Sequence, residues 1–218
     1  MDPTRKEPGP QGFRDLRHAL MNPLSVVMGY AQLLAGRSDL NDEARAQVAQ
    51  ILSQANECVR ILEAWDAQNE TSGPRRETAP ASDPAGTPAG TSHGRVLVVD
   101  DDPVVCMLTR KILAPEYEVI TAKDASEALG HILAAEFHAI LLDFNLPGEG
   151  GGTGFYEVLQ REHPELARRV IFVSGGFVGE NESHLLDRSG RPYIQKPFKI
   201  DLLRSTIRRM VAAGRAAP

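Results

Sequence analysis

The chain has 218 residues, with 24 Lys+Arg against 29 Asp+Glu, 42% hydrophobic and 24% charged residues. That composition is globular, and the length allows one large domain or an ordinary domain with a small companion. A net charge of −5, two cysteines and no apolar run of 18 residues exclude a basic nucleic-acid footprint, a disulfide framework and a membrane span. No nucleic-acid or membrane partner is therefore expected, and the reducing cytoplasm is the expected compartment.

Residues 1–12, opening MDPTRKEPGP, lack the apolar core of a secretory signal and are expected to be a disordered N-terminus. From Phe13 to about Gly36, Leu16, Leu20, Leu24, Val27, Ala31 and Leu34 recur at steps of 3 and 4, the stripe of one amphipathic helix. Gly36 suits a C-cap, and Ser38 to Asn41 suits a turn with an N-cap for the next helix. That second helix, from about Asp42 to Asn69, carries Ala44, Val48, Ile51, Ala55, Cys58, Leu62 and Trp65 in a strict heptad. A two-helix hairpin over residues 13–70 buries too little apolar surface alone. The expected remedy is a homodimer through residues 13–69 that closes a four-helix bundle; the alternative is packing on the second module.

Residues 71–94, TSGPRRETAPASDPAGTPAGTSHG, hold four prolines, four glycines and no large apolar residue, which predicts a linker. As a coil of 24 residues it would span about 27 Å. Residues 95–218 then alternate strand and helix patterns. Strands are predicted at Arg95–Val99, Tyr117–Thr121, His138–Asp143, Val170–Ser174 and Pro192–Gln195, with helices near 103–114, 124–135, 154–163, 181–188 and 200–213. Strict alternation with continuous apolar strands predicts an α/β fold whose five-stranded parallel sheet is covered on both faces.

Ligands in such sheets bind beyond the carboxyl ends of the strands. The first strand ends in Asp100-Asp101-Asp102, the third in Asp143 and the fourth in Ser174, and Lys196 follows the fifth. In a doubly wound sheet the first and third strands are neighbours, which brings Asp100, Asp101 and Asp143 together. Three carboxylates in one pocket need a compensating cation, and Mg2+ is the hard ion that suits oxygen ligands. Lys196 and the Ser174 hydroxyl are placed to hold phosphoryl oxygens while Asp143 acts as the nucleophile. Asp102, before Pro103, reads as a helix N-cap.

These pieces, VLVVDDDP, ILLDFNLPG, VIFVSGG and YIQKPF, resemble the receiver domain of two-component response regulators over residues 95–213. The resemblance implies a flavodoxin-like (βα)5 fold with strand order 2-1-3-4-5. It implies Asp143 as phosphoacceptor, and Asp100, Asp101 and the backbone carbonyl of Asn145 as Mg2+ ligands beside it. It further implies Ser174 and Lys196 as phosphoryl contacts, Tyr193 as the aromatic switch and a cis peptide at Pro197. The chain departs from the family after LPG, where EGGGTG makes a longer glycine-rich loop; residues 175–180, GGFVGE, are also glycine-rich.

The first helix, with His18-Ala19-Leu20-Met21-Asn22-Pro23-Leu24, resembles the dimerisation and histidine phosphotransfer helix of sensor kinases. The resemblance implies His18 as a phosphoacceptor with Asn22 and Pro23 as motif neighbours; Ala19 stands where the family has an acid. No ATP-binding segment follows, so no kinase activity of the chain's own is expected. The reading is a two-component phosphorelay protein in which the receiver takes phosphate on Asp143 and couples to the hairpin. Its partner would be a sensor histidine kinase or another phosphorelay protein. Two alternatives stand beside it: a non-catalytic scaffold or decoy of a kinase dimerisation domain gated by the receiver, and a phosphatase of a partner receiver acting through Asn22.

Overall fold

The computed structural model describes residues 10–69, 94–175 and 180–216. Of the expected disordered start at 1–12, residues 10–12 instead belong to the first helix, which begins at Pro10, and the rest lies outside the described residues, as do the linker apart from Gly94 and the middle of the 175–180 segment. The elements are α1 (Pro10–Ala35), α2 (Asp42–Asn69), β1 (Arg95–Val99), α3 (Pro103–Leu113), β2 (Glu118–Ala122), α4 (Ala125–Ala134) and β3 (Ala139–Asp143). They continue with α5 (Gly151–Glu162), the short α6 (Pro164–Ala167), β4 (Val170–Ser174), α7 (Glu180–Ser189), β5 (Tyr193–Gln195) and α8 (Ile200–Ala216). Among the described residues no helix is long and apolar enough to cross a membrane.

The five strands are all parallel, in the order β2-β1-β3-β4-β5. Because side chains alternate across a strand, β1 sends Leu97 and Val99 to one face and Val96 and Val98 to the other. The first face is covered by α4, α5 and α7 through Ala128, Ile132, Phe155, Leu159, Leu185 and Leu186. The second is covered by α3 and α8 through Leu108, Ile112, Leu203, Ile207 and Val211. Burying each such Leu or Ile stabilises by roughly 1.5–3 kcal/mol, which is why strands apolar on both faces take the centre.

Helix starts follow local chemistry. Asp102 caps α3, its Oδ1 accepting the amides of Val104 and Val105, with Pro103 in the first turn where its missing N–H costs nothing. Asp124 caps α4 by accepting the Glu127 amide, and Glu127 accepts the Lys123 amide just ahead of the cap. Asn41 caps α2 through the Ala44 amide. The structure starts α5 earlier than predicted, at Gly151, because the glycines after Leu146 supply the turn: Gly148, Gly150 and Gly151 all have positive φ.

Helix α1 lies against α2 on one side and the receiver-like module on another. Its most extensive contact there is with α3, where Tyr30 and Leu33 join the apolar layer of α3 and α8. The packing alternative for the hairpin is thus the observed arrangement within one chain. The heptad on α2 also divides. Val48 and Ala55 are buried, whereas Ile51 is 46% exposed and Cys58 is exposed. On α1, Ala31 is buried while Leu20, Val27 and Leu34 stay 39–46% exposed. One stripe closes the hairpin, and a second, repeating every seven residues, faces outward.

Candidate active site

At the carboxyl edge of the sheet, β1 and β3 place Asp100 and Asp143 side by side, as their parallel register requires. Both carboxylates are buried, and the wholly buried Lys196 joins them: its Nζ donates to Asp100 Oδ2 at 2.5 Å and to Asp143 Oδ2 at 2.6 Å. Asp101 is exposed, and oxygens of Asp100, Asp101 and Asp143 lie within 4.8 Å of one another. The second oxygen of Asp143 accepts the Asn145 amide at 3.0 Å, and that of Asp100 accepts the Asp102 amide at 3.0 Å. Ser174 is buried at the end of β4, and its carbonyl accepts the Lys196 amide at 2.7 Å. The Lys196–Pro197 peptide is cis.

Two carboxylates share one ammonium here, leaving an excess negative charge. Burial pushes the Asp100 carboxyl up to about 6, and Asp143 adds to the push while Lys196 opposes it. Burial by itself would lower the Lys196 ammonium, but the two carboxylates outweigh it and hold it above its ordinary value. The donor set, all hard oxygens around an uncompensated charge, fits Mg2+. Beneath the pocket, the Cys106 thiol donates to the Asp100 carbonyl at 3.3 Å; burial, then Asp100, pushes it up to about 12, so it stays protonated and unreactive.

The aromatic layer under Asp143 is ordered by sequence neighbours. Phe144 stacks on Phe172 with centroids 4.4 Å apart, and Tyr193 is buried with its ring 6.4 Å from Phe144. One requirement was hidden within the glycine-rich loop. A Cβ on Gly152 would lie 2.0 Å from the Asp143 carbonyl oxygen, so α5 can turn past Asp143 only with glycine there. Sequence reasoning recognised the loop but not which of its glycines the site needs.

Helix α1 reaches the rim of this pocket. A side chain on Gly175, the residue after Ser174, would meet Met21 Cβ at 3.1 Å, Asn22 Oδ1 at 3.7 Å and Lys196 Cβ at 3.7 Å. Asn22 is 9% exposed, and its Oδ1 has no hydrogen-bond partner among the described residues. His18 lies on α1 four residues before Asn22, hence on the same helix face; its side chain is outside the described residues. Pro23 sits inside α1, and Ser25 Oγ donates to the Met21 carbonyl at 2.7 Å in the same turn.

The sequence model of the response regulator receiver domain matches residues 96–208, and that of the His Kinase A (phospho-acceptor) domain matches residues 12–68. The nitrogen assimilation regulatory protein NtrX of Azorhizobium caulinodans is 36% identical over 110 residues, which is 50% of this chain and 24% of that protein. The sensor histidine kinase TmoS of Ectopseudomonas mendocina is 30% identical over 119 residues, 54% of this chain and 12% of that one. A CheY-like receiver domain protein from Methanospirillum hungatei superposes with a TM-score of 0.52 at 31% identity, covering 57% of this chain and 98% of its own. The chain spans less than half the length of these two curated relatives.

Proposed function

From the premise that the chain belongs to the response regulator receiver family and carries a His Kinase A segment ahead of its receiver, we propose that it is a two-component phosphorelay protein. In this reading Asp143 accepts a phosphoryl group and the hairpin exchanges that group through His18. The observation that supports it most is the position of α1: the helix that carries the histidine motif stands at the rim of the Asp143 pocket, with Asn22 against Gly175.

Asp100, Asp101, Asp143 and the backbone carbonyl of Asn145 would hold Mg2+, which supplies positive charge to the phosphoryl oxygens. The remaining work falls to the chain itself. An oxygen lone pair of Asp143 forms the bond to phosphorus while the bond from phosphorus to the donor breaks, and the donor leaves with that electron pair. Lys196, held charged by its two carboxylates, neutralises the developing charge, and Ser174 offers its hydroxyl to an equatorial oxygen. Tyr193 is the residue that would carry the change to the face of α7, β5 and α8. The partner class is a sensor histidine kinase or another phosphorelay protein, and the outward stripe of the hairpin would pair two copies.

Asn22 favours a second reading. A carboxamide oxygen that is nine-tenths buried and has no partner among the described residues is costly unless it serves something, and beside Gly175 it would orient a water toward phosphorylated Asp143. One experiment addresses both readings. Incubation with acetyl phosphate and Mg2+ should give an acid-stable, base-labile label that Asp143→Asn abolishes. Alkali-stable label at His18 marks relay, and a label that decays more slowly in Asn22→Ala marks a phosphatase. Absence of any label lost in Asp143→Asn would sink the receiver reading.

A further inference from the structure

Helix α3 turns a buried stripe toward the sheet, with Val105, Leu108, Thr109 and Ile112 in it at steps of 3, 1 and 3. Three of these are aliphatic, and Thr109 brings the stripe its one hydroxyl. Thr109 is 1% exposed, and its Oγ1 has no hydrogen-bond partner among the described residues. A helical threonine can turn its hydroxyl onto the carbonyl four residues back, here that of Val105, and Thr109 does not. A buried hydroxyl in that position is costly unless something else satisfies it.

Thr109 faces the underside of the acidic cluster. Residues two apart on a strand share a face, so Asp100 follows Val98, and Asp143 follows Leu141, onto the side of the sheet that α3 covers. A small cavity lies there, lined among others by Asp100, Asp143, Lys196, Thr109, Val105 and Phe198. It leaves about 10 Å3 for the centre of a water-sized sphere, which is the room of a single water. Cavities that stay dry have apolar walls, whereas this one has a hydroxyl, two carboxylates and an ammonium. An ammonium carries three N–H donors. Lys196 spends two of them, on Asp100 Oδ2 and Asp143 Oδ2, which leaves a third.

We propose that this cavity binds one structural water, which ties Thr109 to Lys196. The water accepts the third Nζ–H of Lys196 and the Thr109 hydroxyl, and its own hydrogens go to the carboxylates above it. That set meets the roughly three partners that a buried water needs. Asp101, the exposed member of the cluster, does not line the cavity, so this water is separate from those that a Mg2+ at the cluster would keep. Thr109 is then a positioning residue, fixing where the Lys196 ammonium stands between Asp100 and Asp143. Valine has nearly the same shape without the hydroxyl and would leave the water a partner short, whereas serine keeps the bond.

The site does not depend on phosphorylation of Asp143, so its test needs no phosphodonor. Crystals of the full chain and of Thr109→Ser should show an ordered water within hydrogen-bond distance of both the hydroxyl at position 109 and Lys196 Nζ. Magnetic relaxation dispersion, which counts long-lived internal waters, should find one fewer in Thr109→Val and no change in Thr109→Ser. At fixed pH, hydrogen exchange from the Lys196 ammonium, followed by NMR, should be roughly tenfold faster in Thr109→Val and unchanged in Thr109→Ser. Thr206→Val is the control: Thr206 is also buried with no partner among the described residues, but it does not line the cavity, and neither reading should move. A wild-type crystal in which Thr109 Oγ1 donates to the Val105 carbonyl, with no water beside Lys196, would overturn the site, and it decides the matter even where Thr109→Val fails to fold. An unchanged Lys196 exchange rate in folded Thr109→Val would overturn the positioning role. Loss of the same water in Thr206→Val would overturn its assignment to Thr109.

Discussion

Asp100 shows what a buried carboxylate does to the protein that carries it. Its carboxyl sits at about 6, well above the ordinary value near 4, chiefly because burial disfavours its charge. Between those values the folded protein keeps a proton that the unfolded chain has released. Stability is therefore greatest below about pH 4 as far as this group is concerned, is lost as pH rises to 6, and the full penalty remains above it. A two-unit displacement corresponds to about 3 kcal/mol. Asp100→Asn should accordingly raise the stability of metal-free protein at pH 7.5, by up to about 3 kcal/mol, and flatten its pH dependence between 4 and 6. Urea unfolding without Mg2+ checks this, and a variant less stable than wild type would contradict it. In wild type, Mg2+ should raise the unfolding midpoint at pH 7.5 and do so less at pH 5, where protons compete for Asp100. The acidic residues and Lys196 were legible in the sequence because apolar strands end abruptly in them, and parallel register then fixes where those ends meet. The Asn22 oxygen, without a partner among the described residues, was not legible, since its burial comes from tertiary packing.

At the scale of elements, the strands and helices of the second module, the missed short α6 apart, could be read nearly to the residue, because period-2 and period-3.6 patterns change at Asp, Pro and Gly. The start of α5 was harder. Four of the six residues in EGGGTG are glycine, and composition does not say which of them is indispensable. Space does. Gly152 faces the Asp143 carbonyl at 2.0 Å for a built Cβ, whereas Gly130 in α4 has nothing within 4 Å. Gly152→Ala should cost about 3 kcal/mol, since the strand end carrying Asp143 must shift. Gly130→Ala, in an ordinary helix interior, should instead stabilise by about 0.5–1 kcal/mol. Thermal unfolding of both measures the contrast, and equal effects would mean that the turn into α5 is not constrained by that carbonyl. The heptad on α2 was legible as a pattern but not as two stripes. A repeat of seven does not say which of two neighbours each position faces, and the docked receiver decides that by covering one side of α1.

At the scale of the molecule, the hairpin has three faces and two of them are occupied. Val48, Ala55 and Ala31 lie in buried positions where α1 and α2 close on each other, and Gly29, Gln32 and Leu33 face the receiver. Leu20, Val27 and Leu34 remain on α1, spaced by seven, with Ile51 and Cys58 on α2 at the same spacing. Apolar residues in register on two adjacent helices are costly in water, and pairing with a second copy would bury them as the core of a four-helix bundle. Receiver docking leaves uncovered the face that the proposed dimerisation would use, so the two arrangements are compatible rather than alternatives. The contact between α1 and α3 joins residues some 80 positions apart in sequence, and Gln32 Oε1 accepts the amide of Ile200 at the start of α8, 168 residues away. No local pattern carries such information, which is why the sequence left dimer and docking as competitors. The wild-type chain should run at twice its 23.7 kDa mass by light scattering. Ile51→Glu places a charge in the proposed seam and should give monomers while leaving the Ile200 amide protected, because the docking face is untouched. A wild-type monomer would refute the bundle, and a monomeric Ile51→Glu that also loses Ile200 protection would show that dimer and docking are one structure rather than two.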